Sequence, residues 1–186
     1  FMALKDVHEG KPWSEWKEEY RNRDKEAIEQ AKNKYKMEIN LWKVYQYLFF
    51  KEWRELKKYA NDRDIHIIGD LPIYVSLDSV DVWAHPELFQ LDENKIPTKV
   101  AGCPPDAFSE DGQLWGNPLY NWDYMEQTDF QWWINRIQYL CKVYDVLRID
   151  HFRGFDSYYA IPYGESTARN GVWKQGPGMK LFNRVE

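Results

Sequence analysis

Between Pro12 and Gly69 the chain has neither proline nor glycine, and its apolar positions recur three or four apart. That spacing predicts helices. The clearest stripe is Ile39, Trp42, Tyr45, Phe49, Trp53, Leu56 and Ala60, one helix face turned toward a core. Ser14 is placed to cap a short helix through Tyr20 and Asp24 to cap the next, because each carries an oxygen that accepts from free N–H groups. A single helix across the whole span would be unusually long, so a break is expected near Tyr35 to Met37. After the polar turn Asn61-Asp62-Arg63-Asp64, the β-branched Ile65, Ile67 and Ile68 read as a short strand ending at Gly69-Asp70. Helix, turn and strand in this order make one unit of a parallel α/β fold.

From 71 to 121 the periodicity disappears and Pro, Gly, Asp and Trp accumulate. Irregular segments of this length are functional or disordered, and the aromatic content argues against disorder. Gly112 and Gly116 bracket Gln113-Leu114-Trp115 as a mobile tip carrying a large ring. Thr128-Asp129-Phe130-Gln131 reads as a capping box. Phe130, Trp133, Ile134, Ile137, Leu140 and Cys141 then keep helical spacing, which makes Cys141 a small core residue. The helix feeds Val146, Leu147 and Ile149, a buried strand of a parallel sheet. Residues 155–162 read as a segment lining the next rim loop, and 179–185 as the start of a helix.

Charge crowds the end of that last strand, in Arg148-Ile149-Asp150-His151-Phe152-Arg153. Arg148 and Asp150 are two apart, so on a strand they share a face, and a permanent cation beside the carboxylate favours its ionised form. An ionised, oriented carboxylate suits a nucleophile aimed at an anomeric carbon; a structural salt bridge explains the spacing equally well. Composition adds a second hint. The 186 residues include ten Trp, thirteen Tyr and nine Phe, and flat rings in loops, such as Trp83, Trp115 and Trp122, can stack on the C–H faces of sugars. A net charge of −5 without a basic stripe argues against nucleic acid. No apolar run approaches a membrane span. Cys103 and Cys141, far apart and without a secretory h-region upstream, read as reduced cytoplasmic thiols. His85 lacks an acidic or second His partner and is read as structural, with no metal or cofactor implied. Glu165, in a polar Gly-Glu-Ser-Thr loop, is not taken as an acid/base group.

Four ordered segments carry a family resemblance: 69–75 (Gly-Asp-Leu-Pro-Ile-Tyr-Val), 81–89 (Asp-Val-Trp-Ala-His-Pro-Glu-Leu-Phe), 102–109 running on to 116–120, and 148–155. Together they resemble the 4-alpha-glucanotransferases, the amylomaltases or disproportionating enzymes of glycoside hydrolase family 77 in the alpha-amylase clan. The resemblance implies part of a (β/α)8 TIM barrel, about strands 3 and 4 with flanking helices, in one partial catalytic domain over 1–186, with 71–127 a long insertion over the active site. A complete barrel usually needs about 250 residues, so the chain is expected to be an internal fragment. The resemblance makes Asp150 the nucleophile, with Arg148 and His151 as its catalytic neighbours. It makes Asp70 a support for Arg148 or a substrate contact, and Tyr74, Asp106, Phe108, Gln113, Trp115 and Asn117 contacts for an α-1,4-glucan or maltooligosaccharide, with no cofactor, nucleic acid or membrane. It places the acid/base glutamate and a third carboxylate beyond Glu186, so the fragment is expected to be inactive. A non-catalytic glucan-binding unit and an α-glucan hydrolase of the same clan stand as alternatives.

Overall fold

The structure, a computed structural model, describes residues 1–185. The chain divides into two compact units, one made of 1–67 with 78–84 and the other of 68–77 with 85 onward.

The first unit is helical: α1 (Met2–Val7), α2 (Glu18–Arg21), α3 (Lys25–Lys34), α4 (Lys36–Asn61) and α5 (Val80–Ala84), with a 3-10 turn at Trp13–Glu15. Its core gathers Ala3, Leu4, Trp13, Trp16, Ala31, Val82 and Trp83. Polar ends of the rings are satisfied as burial requires: the Trp83 indole donates to Tyr20 O at 2.8 Å and the Trp16 indole to Lys11 O at 3.0 Å, while the Trp13 backbone N–H donates to Asp78, which also pairs with Lys5. Trp83 therefore fills a core and is not a loop platform for sugar. Asp24 caps α3, accepting from Ala27 N at 2.9 Å. The helix breaks at Tyr35, where φ/ψ of −106°/33° leave the helical range. Two expectations fail here. Ser14 lies inside the 3-10 turn, and α2 starts after Lys17 without a side-chain cap. The α4 stripe is not core-facing either, since α4 buries no residue and Tyr45, Phe49 and Leu56 are more than half exposed. Trp42 is anchored at 2.6 Å to Asp6 of α1, and farther along Phe49 stacks on Trp53. Periodicity reports which face is apolar, and not whether a covering element belongs to the same unit.

The second unit holds two sheets. In the first, β1 (Ile68–Pro72) pairs in parallel with β4 (Val146–Asp150), in the register Asp70 opposite Arg148 and Pro72 opposite Asp150. Strand β1 starts three residues later than expected and runs through Asp70, which is mid-strand; Ile65 remains exposed. Strand β4 lies where the pattern put it, yet Val146 is exposed and Leu147 and Ile149 are only half-buried, because two strands alone cover neither face. The second sheet is antiparallel, in the order β3 (Gln113–Pro118), β2 (Lys99–Cys103), β5 (Ser157–Pro162), β6 (Val172–Gln175). This corrects three expectations. Much of 71–121 is regular, Gln113-Leu114-Trp115 begins a strand and is no loop tip, and 157–162 is a central strand. Alternation on β2 and β5 builds a layer on each face, Val100, Tyr159, Ile161 and Ala168 on one and Ala101, Leu119, Tyr158 and Ala160 on the other. Tyr74 and Trp122 pack on the second layer. At Gly102 a side chain would run into the Gln113 carbonyl of β3, so the close strand approach requires glycine.

Helices α6 (Trp122–Gln127), α7 (Gln131–Val143) and α8 (Met179–Phe182) complete this unit. Thr128 is not a capping box for α7: its hydroxyl donates backward to Tyr124 O and Met125 O, closing α6. Asp129 and Phe130 then take left-handed φ of 50° and 54°. Such a conformation costs roughly 1–2 kcal/mol per residue. Burying the Phe130 side chain to 3% exposure returns a comparable amount, roughly 1.5–3 kcal/mol, so the tight link holds without a side-chain cap. Trp133 and Ile137 face the core, whereas Cys141 is exposed. One helical position beyond the stripe was enough to turn it outward.

Candidate active site

The parallel pair sets three charged side chains in a row. Residues opposite each other on adjacent parallel strands extend to the same side, so the register of Asp70 with Arg148 brings carboxylate and guanidinium together. Arg148 Nε donates to Asp70 Oδ1 at 3.0 Å and Nη2 to Oδ2 at 2.7 Å, the two-pronged geometry that only arginine offers. The same Nη2 lies 3.7 Å from Asp150 Oδ1. Hydrogen bonding from Arg148 holds the Asp70 carboxyl below the usual carboxylate range. Asp70 does most to reinforce the Arg148 cation, and Asp150 adds least. Arg148 is thus clamped by one aspartate and offers only its edge to the other, which leaves the Asp150 carboxylate oriented but open. Asp70 stands opposite Arg148, two positions before the residue opposite Asp150, and grips the arginine as the resemblance implies.

Rings collect next to this row. His151 takes a left-handed conformation, φ 49° and ψ 45°, uncommon for a residue with a Cβ and concentrated at functional sites. Its imidazole meets Trp115 edge-to-face at 4.9 Å, and Tyr74 lies within 6.5 Å of both. Burial lowers the His151 pKa, Asp150 opposes the shift, and Arg153 adds to it. The ring is therefore neutral near pH 7 and can both donate and accept. Burial likewise raises the Tyr74 phenol far above its ordinary range. Gly154 closes the turn, where a Cβ would stand 2.7 Å from Ile73 Cδ1 and 3.3 Å from the His151 ring.

The remaining expected contacts divide. Gln113 accepts from the Trp115 indole at 3.0 Å and so joins the ring group. Asn117 donates to Val75 O at 2.9 Å, tying β3 to the end of the segment that carries Tyr74. Asp106 spends one oxygen on its own turn, accepting from Phe108 N and Ser109 N, and Phe108 is 99% exposed. Of the two other loop rings, Trp122 heads α6 against the Tyr120–Trp133–Phe155 group. Pattern reading missed the supports. Tyr120 stacks on Tyr74 and donates to Ile73 O at 2.6 Å; Arg136 donates to Pro72 O at 3.1 Å; Arg153 lies 4.1 Å over the Trp173 ring. These ties join residues 20 to 64 apart, so no local spacing announces them. Among the described residues no group of three or more His, Cys, Asp or Glu could hold a metal ion. No helix of the described chain is long and apolar enough to cross a membrane.

An open carboxylate beside a clamped arginine and a neutral imidazole, flanked by rings, is equipped for nucleophilic work on an uncharged ligand. The model of the family described as 4-alpha-glucanotransferase matches residues 1–186. The chain belongs to the 4-alpha-glucanotransferase family. It is 53% identical to a 4-alpha-glucanotransferase of Clostridium butyricum over 187 residues, covering all of this chain and 38% of that protein. It is 48% identical to one of Thermus thermophilus, covering 37% of it. Among solved structures it is similar to an amylomaltase from Streptococcus agalactiae in complex with acarbose, with a TM-score of 0.95 and 51% identity over 99% of this chain and 37% of that one. The chain thus spans less than two-fifths of the length of these relatives. The match includes all four segments that carried the resemblance.

Proposed function

We propose that this chain is the nucleophile-bearing part of a 4-alpha-glucanotransferase, in which β1 and β4 are neighbouring strands of a catalytic (β/α)8 barrel. The observation that carries the reading is the Asp70–Arg148–Asp150 row on adjacent parallel strands, with the arginine gripped at 2.7 and 3.0 Å by the aspartate that does not react. The half-exposed faces of β1 and β4 fit strands that other parts of a barrel cover. The substrate is an α-1,4-glucan, in keeping with acarbose in the related amylomaltase. The protein works in the cytoplasm with both cysteines reduced.

In the first step the Asp150 carboxylate attacks the anomeric carbon, the glycosidic bond breaks, and the leaving O4 takes a proton from a carboxylic acid elsewhere in the full-length protein. That acid stands about 5–5.5 Å from Asp150, the separation of a retaining pair. In the second step the 4-hydroxyl of an acceptor glucan attacks the same carbon and gives its proton to that carboxylate. The ester bond breaks and Asp150 returns to its ionised form. Arg148 orients Asp150, and neutral His151 hydrogen-bonds a sugar hydroxyl. Trp115 offers a ring face, Phe108 and Asp106 sit on the flanking loop, and Gln113 and Asn117 fix the strand that bears Trp115.

Incubating the full-length protein with maltotriose and separating products by size tests the reading. Glucose plus longer oligosaccharides are expected, with Asp150→Asn at least about 10⁴-fold slower and the 186-residue chain inactive. Glucose and maltose without longer products would mean hydrolysis, and no turnover at all would leave a glucan-binding unit.

A further inference from the structure

A second hollow, of about 470 Å³, opens beside the antiparallel sheet and shares no lining residue with the candidate active site. Its volume is within the usual range for small-molecule sites. Lys99 of β2 and Lys174 of β6 reach it from the strands that flank β5, and Tyr158 of β5 stands opposite Lys174. Trp122 and Asp123 enter from the first turn of α6. Three amides complete the wall, Gln90, Gln175 and Asn121, the last with its oxygen already accepting from Tyr124 N at 3.2 Å. Gln90 Nε2 gives to Tyr120 O at 2.8 Å and to the Tyr158 hydroxyl at 3.2 Å, and Gln175 Nε2 gives to Asp156 O at 2.7 Å. Gln90 keeps its oxygen as an acceptor, and Gln175, with one N–H used, can still both donate and accept.

The hollow therefore sets two cationic donors against a carboxylate and two amide acceptors, with an indole alongside. An anion such as phosphate uses donors alone, and Asp123 would repel it. An apolar ligand would strip water from the lysines and Asp123 without replacing it. A sugar fits both halves of the description, since every hydroxyl donates and accepts while the C–H face of the ring covers an aromatic plane. We propose that this hollow is a second binding site for a neutral polyhydroxylated chain, an α-glucan segment remote from the bond being cut. The identity of the chain rests on the transferase reading above. The buried layer that holds Tyr158 also carries Tyr74, which lies against His151 and Trp115, so the two sites share a scaffold while each keeps its own residues.

The test uses the full-length protein, the double variant Lys99→Ala/Lys174→Ala and the single variant Asp123→Ala, in amylose-containing native gels and in kinetics on amylose and maltotriose. Both variants should lose retention by amylose and show a KM for amylose higher by roughly tenfold. Their kcat and KM on maltotriose, too short to reach both sites, should match the unmodified protein, as should their Tm. Unchanged retention and amylose KM in the folded variants would overturn the site. Release from amylose by inorganic phosphate at constant ionic strength, absent in the double variant, would mark an anion site and also overturn it. If the unmodified protein leaves maltotriose untouched but is held by amylose through these residues, the second site stands and the transferase reading falls.

Discussion

The two sheets of the second unit are built on opposite terms. The antiparallel sheet is sealed at its two central strands, β2 and β5, while β6 and most of β3 stay exposed: Ala101 and Ile161 are fully buried, and the ring group of Tyr120, Trp133 and Phe155 beyond them is at most 1% exposed. The parallel pair, only two strands wide, keeps Asp70, Arg148 and Asp150 each more than half exposed. The buried core and the row of charges are thus housed apart, with Trp115 of β3 lending the site its ring. A reacting carboxylate must stay accessible, and so must its clamp, whereas the geometry of both depends on packing elsewhere. The link between them runs through particular residues: Tyr120 holds the Ile73 carbonyl, Arg136 the Pro72 carbonyl, and Arg153 rests on Trp173 of β6.

The separation is sharpest where it predicts opposite effects of two substitutions. Trp133→Ala removes a fully buried indole and should destabilise the full-length protein by about 3–5 kcal/mol, read as a lower midpoint in denaturant unfolding. Trp133→Phe should cost less than its volume suggests, because the indole N–H it removes has no hydrogen-bond partner among the described residues. Arg148→Lys should do the reverse. A lysine cannot make the two-pronged contact with Asp70, so Asp150 loses its fixed neighbour; kcat on maltotriose should fall by roughly 10- to 100-fold, with the unfolding midpoint nearly unchanged. A large loss of stability in Arg148→Lys would erase the distinction between the sheets.

Gly154 sits where the two regions touch. An added methyl group meets Ile73 at 2.7 Å and the His151 ring at 3.3 Å, and overpacking of this kind costs typically about 1–3 kcal/mol. Since Ile73 is buried and His151 carries the left-handed turn, Gly154→Ala should lower stability and slow turnover together. Parallel measurements of Tm and kcat decide this; loss of one without the other would show that the turn moves independently of the core beneath it.

What the chain revealed in advance follows the range of the interactions. Asp24 as a cap, the break at Tyr35, the helix through 131–143 and the shared face of Arg148 and Asp150 depend on residues within four positions of each other, and each stands as expected. The antiparallel sheet depends on pairings such as Val100 with Ile161, and its Gly- and Pro-rich strands carry little alternation to announce them. The grip of Asp70 on Arg148 spans 78 residues; it needs the strand register, so the family resemblance anticipates it while no local spacing does. Thr128 shows a subtler failure: its motif suits a helix start, but the same hydroxyl finds carbonyls at the end of the helix before it. The exposed α4 stripe reads correctly as a face and incorrectly as a buried one, because burial is a property of the neighbour.

The smallest predicted effect probes the coupling most directly. His151 is held below the ordinary histidine value of 6.5 chiefly by burial, with Asp150 acting upward and Arg153 downward. Between its folded-state pKa and 6.5 the unfolded chain binds more protons than the folded one, so stability rises with pH through that window and is lost as pH falls through it. Arg153 is exposed, yet it lies at 4.1 Å over the face of Trp173, a residue of the outer strand β6 of the antiparallel sheet. Both Arg153→Met and Trp173→Ala should therefore move the His151 titration upward by a fraction of a unit, through one cause acting at two removes. The imidazole Cε1–H shift followed against pH in the full-length protein, assigned with His151→Gln, reports it. Burial, the larger cause, should keep the midpoint below 6.5 in both variants. A midpoint that moves in Arg153→Met and stays put in Trp173→Ala would show that the guanidinium keeps its place without the ring, and that the antiparallel sheet does not reach the chemistry by this route.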